Sequence, residues 1–67
     1  MHSDEYEIVI EGTVHNPNEF STYIDGPLAK ALDKFYKMLD SIEERGRMIQ
    51  LFETDTGKLV KSALGGM

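Results

Sequence analysis

The hydrophobic period of this chain changes from two to three-four and back again, which limits the folds it can adopt. From Asp4 to Val14 apolar and polar residues alternate, as in a half-buried strand. From Leu28 apolar residues recur at the three-four spacing of an amphipathic helix. Residues 47–54 and 59–64 again resemble strands, and Asp55-Thr56-Gly57-Lys58 between them resembles a hairpin turn. The pattern predicts an α+β fold, in which one long amphipathic helix packs on one face of a small, mostly antiparallel sheet of three to four strands.

The ends of the helix also have sequence signals. Pro27 suits the first helical position, and Asp25 or Gly26 can cap it. The apolar stripe predicts about five turns, with Arg45 in the last turn and Gly46 as the stop. The members of the stripe are Leu28, Leu32, Phe35, Leu39 and Ile42, widened by Ala31, Tyr36 and Met38. The segment from Glu19 to Ile24 fits either a second strand or an extended arm leading to the helix.

Size restricts how much apolar surface the chain can bury. Its 67 residues predict one domain over 1–67, with residues 1–3 and 65–67 frayed. It has no cysteine, so neither a disulfide nor a thiolate metal site can stabilise it. Homodimerisation is then a natural way to bury more area. We expect no membrane span and no secretory signal, and hence a cytoplasmic protein.

The charges of the chain are segregated. The first 29 residues contain six carboxylates and no Lys or Arg, whereas all seven basic residues follow Ala29. On the first strand Glu5, Glu7 and Glu11 point to one side, together with Val9 and Thr13. The other side carries Tyr6, Ile8, Ile10, Gly12 and Val14. One face of this strand is therefore expected to be a row of fixed negative charge.

Two interpretations of the acidic row remain open. A solvated sheet face carries charge to prevent edge pairing and aggregation. Alternatively, the acids bind a basic, DNA-binding protein in place of nucleic acid, since ordinary solvated faces mix the two signs. The predicted partner-binding residues are Asp4, Glu5, Glu7, Glu11, Glu19 and Asp25.

A third interpretation rests on apolar residues. One helix on a small sheet is not expected to bury all of the apolar side chains. Those left over are candidates for a dimer contact, namely Phe20, Tyr23 and Met48. A small adaptor or assembly protein that associates through an apolar sheet edge or helix face is the alternative function.

Catalytic and cofactor signals are weak. His2 and His15 lack the paired spacing of metal ligands, and none of the serines lies in a nucleophile elbow. The outer face of the helix mixes charges of both signs, which disfavours direct binding of nucleic acid. We therefore expect that the protein is not an enzyme and that it binds neither a cofactor nor a metal ion.

In its small size, lack of cysteine, segregated acids and single helix on a sheet, the chain resembles the small acidic proteins with which bacteriophages disable host factors. Some of those proteins are DNA mimics, and one targets the nucleoid protein HU. The residues that carry the resemblance are Asp4, Glu5, Glu7 and Glu11, with Glu19 and Asp25. It implies a stoichiometric inhibitor, often dimeric, that acts in the bacterial cytoplasm and competes with DNA for the basic groove of a nucleoid-associated protein.

Overall fold

A computed structural model describes residues 5–15 and 17–66, apart from the side chain of Ile42. Its elements are strand β1 (Glu5–Ile10), strand β2 (Phe20–Asp25), helix α1 (Leu28–Leu39), a 3₁₀ turn (Ile42–Glu44), strand β3 (Met48–Glu53) and strand β4 (Lys58–Leu64). The α+β prediction is confirmed, with four strands and one α-helix in the described residues.

The sheet consists of two hairpins that meet at its centre. The strand order is β2-β1-β3-β4, and every neighbouring pair is antiparallel. The second hairpin turns at Gly57, whose φ of 73° is a backbone conformation that favours glycine. The segment that fitted either a strand or an arm is β2, an edge strand paired with β1.

Helix α1 packs on one face of this sheet, which we call the core face. In the register, Ile8 lies opposite Leu51 and Ile10 opposite Ile49, and all four side chains are buried. Phe35 of α1 is fully buried against them. Because side chains alternate along a strand, the residues between these positions point to the opposite, open face.

The helix is shorter than predicted. It ends at Leu39, and the N–H of Asp40 donates to the Tyr36 carbonyl at 3.2 Å. The 3₁₀ turn follows, because the chain has to reverse within a few residues to place β3 beside β1. Arg45 therefore lies beyond the helix rather than in its last turn. Gly46, with a φ of 77°, takes the conformation expected of a stop but ends the 3₁₀ turn.

The start of the helix also differs from the prediction. Pro27 occupies the N-cap position instead of the first helical position, and none of the described side chains caps the helix. The Pro27 carbonyl accepts the N–H of Lys30 at 3.0 Å, so the first turn is closed by the backbone alone. Leu28, expected in the apolar stripe, is 41% exposed.

Strand β1 ends four residues before the predicted boundary at Val14. That side chain is 95% exposed and belongs to the loop that joins β1 to β2. At Gly12 the loop folds back so closely that a Cβ there would collide with the Pro17 carbonyl. The chain leaves the sheet at this close contact, so the alternating sequence pattern extends beyond the end of the strand.

Arg47 is a buried cation that joins the two halves of the chain. Its side chain is almost fully buried and donates to the carbonyls of Glu11, at 3.0 Å, and Asn18. Its guanidinium also lies 3.5 Å from Glu44 Oε2 and 5.3 Å from the centroid of the Phe20 ring. The loop after β1 is thereby held against the segment that precedes β3.

Gly65 and Gly66, which were predicted to fray, are hydrogen-bonded to the rest of the fold. The N–H of Gly65 donates to the Arg47 carbonyl at 2.8 Å, and that of Gly66 to the Leu39 carbonyl at 2.6 Å. Gly65 is buried so close to the Glu44 carbonyl that a Cβ would collide with it. Residues 1–3 and Met67 lie outside the described residues.

Replacing Arg47 with methionine should destabilise the protein strongly. The change keeps apolar bulk but leaves the Glu44 carboxylate buried without its cation, which costs about 3 kcal/mol. Urea unfolding followed by circular dichroism measures the loss. Arg45→Met is the matched control, because Arg45 is exposed and its replacement should change stability by less than about 0.5 kcal/mol. Equal stability of the two variants would contradict the role given to Arg47.

Candidate functional site

On the open face of the sheet, the acidic side chains lie on two neighbouring strands and the other two strands carry no charge. We call the open-face side chains of β1 and β2 the acidic half, and those of β3 and β4 the uncharged half. The acidic half consists of Glu5, Glu7, Val9, Ser21, Tyr23 and Asp25. The uncharged half consists of Met48, Gln50, Phe52, Leu59, Ser62 and Leu64. In the part of the chain that the structure describes, α1 is on the other side of the sheet and leaves this face uncovered.

Three of the predicted partner-binding carboxylates lie together in the acidic half. Glu5 and Asp25 are directly opposite each other on β1 and β2. Cβ atoms of such cross-strand neighbours are about 5 Å apart. Glu7 follows Glu5 on the same face, about 6.6 Å further along the strand. The pairing of β2 with β1 thus adds a third carboxylate to the row that β1 alone provides.

Tyr23 lies opposite Glu7 and is 61% exposed. The negative charge of Glu7 and a hydrogen bond with its carboxylate raise the pKa of the Tyr23 hydroxyl, with smaller contributions from desolvation and from the charge of Glu5. A tyrosine hydroxyl is protonated at neutral pH even without such a shift, so that of Tyr23 can donate to the carboxylate. The register thus places an aromatic ring beside the acids.

The basic side chains of β4 do not cover these acids. Lys58 and Lys61 are paired in the register with Glu53 and Leu51, and a register shift at Val60 interrupts the alternation between them, so both belong to the core face. The ammonium group of Lys61 lies 5.7 Å from the ring centroid of Tyr36 on α1. Across residues 5–15 and 17–66, the ion pairs within 4.0 Å are Lys37–Asp33 and Arg47–Glu44, and neither involves an open-face carboxylate.

One carboxylate of the acidic half has cations in its neighbourhood. Asp25 borders a second groove, on the outer side of β2, that is also lined by Lys30 and Lys34 of α1. No ion pair forms there among the described residues. The two lysines nevertheless weaken the field at Asp25, so Glu5 and Glu7 form the more strongly negative part of the face.

The other predicted partner-binding residues lie apart from this group. Glu11 follows β1 and Glu19 precedes β2, so both are at the far end of the hairpin, about 20 Å from Glu5. The N–H of Glu11 donates to the Met48 carbonyl at 3.0 Å, which continues the ladder beyond β1. Asp4 lies outside the described residues.

The three candidates for a dimer contact do not form one patch. Phe20 is on the core face, where its ring lies against Arg47. Tyr23 and Met48 are both on the open face, but on the non-adjacent strands β2 and β3. A common contact surface built from these three residues is therefore not present in a single chain, and homodimerisation itself stays a prediction.

A concavity of about 540 Å³ lies where the two halves meet. Its lining residues are Glu5, Glu7, Tyr23, Phe52, Glu53, Thr54 and Gly57. The Thr54 hydroxyl donates to the Glu5 carbonyl at 3.0 Å and lies 3.2 Å from Glu5 Oε1, while the Thr56 hydroxyl donates to Glu53 Oε1 at 2.8 Å. These contacts hold the Glu5 and Glu53 side chains at the concavity.

Sequence reasoning missed Phe52 as an open-face member of this site, and it missed Glu53, a core-face residue at the end of β3 that borders the concavity. The distribution of acids along the chain pointed to the first 29 residues, whereas both of these follow α1. Their position depends on the antiparallel β1–β3 register, in which Phe52 lies opposite Glu7. The signal available in the sequence was the position of both residues at the end of a predicted strand, next to a predicted hairpin turn.

Other site classes find little support among the described residues. No group of three His, Cys, Asp or Glu side chains in them is placed to hold a metal ion. His15 is an exposed loop residue, and His2 lies outside the described residues. No helix in the described part of the chain is long and apolar enough to cross a membrane.

Comparison of the chain with protein-family models, with curated proteins and with solved structures finds no match. The class of site is therefore defined by its geometry, which is a sheet face with uncompensated carboxylates at one side and apolar side chains at the other.

Replacing Glu7 with glutamine should lower the pKa of the Tyr23 hydroxyl toward its ordinary value. Removal of the neighbouring negative charge makes the phenolate less unfavourable. A pH titration of the tyrosine ring carbons by NMR measures the shift. Glu43→Gln, which changes an exposed carboxylate beyond α1, should leave Tyr23 unchanged. An unaltered Tyr23 titration in the Glu7 variant would contradict the arrangement described above.

Proposed function

We propose that the protein is a non-catalytic inhibitor that binds a basic, DNA-binding protein through the acidic half of its open face and so competes with nucleic acid. The observation that carries this proposal is the group formed by Glu5, Glu7 and Asp25, with which no Lys or Arg within the described ranges forms an ion pair. Because Lys30 and Lys34 weaken the field at Asp25, Glu5 and Glu7 provide most of the negative charge. The β4 lysines face the other side of the sheet.

The physical basis is the charge density of the face. A DNA strand carries one phosphate per 3.4 Å or so of helix axis. Glu5 and Glu7 alone provide about half that density along β1, and Asp25 on β2 raises it. A groove that binds DNA presents lysine and arginine side chains, which such carboxylates attract over about one Debye length, roughly 10 Å at 0.1 M salt.

The place of action and the mode of inhibition follow from the same class of protein. The inhibitor acts in the cytoplasm of a bacterial host, as a phage-encoded protein, on a nucleoid-associated protein. It forms a complex of fixed stoichiometry and is not consumed in a reaction. Because the carboxylates are presented on a sheet rather than on loops, their spacing is set before the partner arrives, which limits the entropy lost on binding.

A second candidate function is that of a small adaptor or assembly protein. The observation that favours it is the uncharged half, where Leu59 and Leu64 are 45% and 43% exposed. Apolar groups at such positions beside the unpaired edge of β4 are typical of protein interfaces. In that case charge substitutions would matter little, and loss of these leucines would abolish association.

Direct binding to purified nucleoid-associated proteins, HU among them, tests the proposed function. We expect binding that weakens by about tenfold or more between roughly 50 and 200 mM salt, since the contact is electrostatic. The bound protein should also release labelled duplex DNA from its target. Calorimetry measures the first effect and fluorescence anisotropy the second.

Matched variants assign the effect to the face. Glu5→Gln with Glu7→Gln removes two charges at nearly constant shape and should abolish displacement of DNA. Asp40→Asn with Glu43→Gln removes the same charge beyond the end of α1 and should leave displacement intact. Displacement by the first variant at the wild-type level, or salt-independent binding, would refute the proposal.

A further inference from the structure

Within residues 5–15 and 17–66 nothing covers the open face, and its two halves offer different chemistry. Four strands of about six residues make a face of roughly 20 by 19 Å, or about 400 Å² in projection. The acidic half lies on β2 and β1, and the uncharged half on β3 and β4. On the uncharged half Leu59 and Leu64 stay well exposed, while Phe52 and Met48 are half-buried.

A second copy of this chain does not suit that face. Stable interfaces bury about 800 Å² on each partner, so a dimer built here has to use both halves. One two-fold arrangement then sets the acidic half against the acidic half, and like charges repel. The other sets Glu5 and Glu7 against apolar side chains, which removes two carboxylates from water without a partner. The predicted homodimer therefore requires another surface, of which the outer edges of β2 and β4 offer unpaired backbone groups.

A partner whose own charges are segregated avoids both costs. We propose that the open face docks a segment of the partner protein that places arginine or lysine over the acidic half and large apolar side chains over the uncharged half. This inference rests on the proposed function and specifies the chemistry of the partner. Charge complementarity determines which edge of the segment lies over β1 and β2, so the segment docks in one orientation.

The concavity at the boundary of the two halves suits a guanidinium group. Glu5 and Glu7 supply carboxylate oxygens from β1, and Tyr23 on β2 and Phe52 on β3 flank Glu7 with one ring on either side. An arginine that enters it can donate to a carboxylate and stack on a ring at once, whereas lysine provides a single charged point. The next side chains of the same segment then lie over Leu59.

The apolar contact also explains how such a protein could select its target. Carboxylates alone attract any basic surface, and they do so non-specifically. When nucleic acid binds in a basic groove, it contributes phosphates and sugars but no apolar side chains such as leucine. A face that adds an apolar contact therefore prefers basic proteins with an exposed apolar patch beside the cations.

Selection of random twelve-residue peptides on the immobilised full chain tests this inference. We expect enriched peptides to combine a cluster of arginine or lysine with large apolar residues in another part of the peptide. In a wild-type NMR titration, the best peptide should shift the amide signals of Glu7, Tyr23, Phe52 and Leu59 and leave that of Lys34 on α1 unchanged. This readout needs no variant.

Two pairs of variants assign the contacts. Leu59→Ser with Leu64→Ser, and separately Glu5→Gln with Glu7→Gln, should each weaken the selected peptide by about tenfold or more. Val14→Ser and Glu43→Gln are the controls, because both side chains are exposed outside the sheet, and they should bind as the wild type does.

The outcomes separate this inference from the proposed function. Enriched peptides that are purely basic, with affinity unaffected by the leucine variant, would overturn the two-part docking and leave the inhibitor proposal standing. Purely apolar peptides would overturn both. Failure to enrich any peptide, or amide shifts confined to α1, would also overturn the docking of such a segment on this face.

Discussion

The pairing of β1 with β3 is the contact on which the rest of the structure depends. Each hairpin alone has an apolar side that two strands cannot bury. The central pair brings Ile8 and Ile10 beside Leu51 and Ile49, and Phe35 of α1 is buried in the same cluster. The same register sends every second side chain to the open face. A slip of one residue would exchange the two faces and place carboxylates under the helix.

Arg47 supports that pairing from the end of the sheet. A buried guanidinium is costly to desolvate, and here two carbonyls, a carboxylate and an aromatic ring surround it. The contacts tie the loop after β1 to the segment before β3, and Gly65 closes the arrangement through the Arg47 carbonyl. In a chain without disulfides, this cluster restricts a long loop that would otherwise be free to move.

The surface chemistry follows from which side each charge is on. The core-face positions of β4 have lysines beyond the edge of the helix, whereas the open-face positions of β1 have glutamates. Opposite charges are thus separated by the thickness of the sheet instead of neutralising each other. The resulting field, together with apolar side chains on the neighbouring strands, makes the open face the surface where a partner is expected to bind.

The sequence by itself determined the class of fold, the row of acids on β1 and the hairpin turn at Gly57, because these depend on local periodicity and turn chemistry. It misplaced the end of α1 and the outer end of β1, since the reversal after Leu39 and the contact of Gly12 with Pro17 are set by where the chain must go next. Only the tertiary structure decided that Asp25 and Phe52 stand beside Glu5 and Glu7, and that Arg47 is buried. Strand order and register bring together residues that are far apart in the chain, and no local sequence pattern specifies which distant residues come into contact.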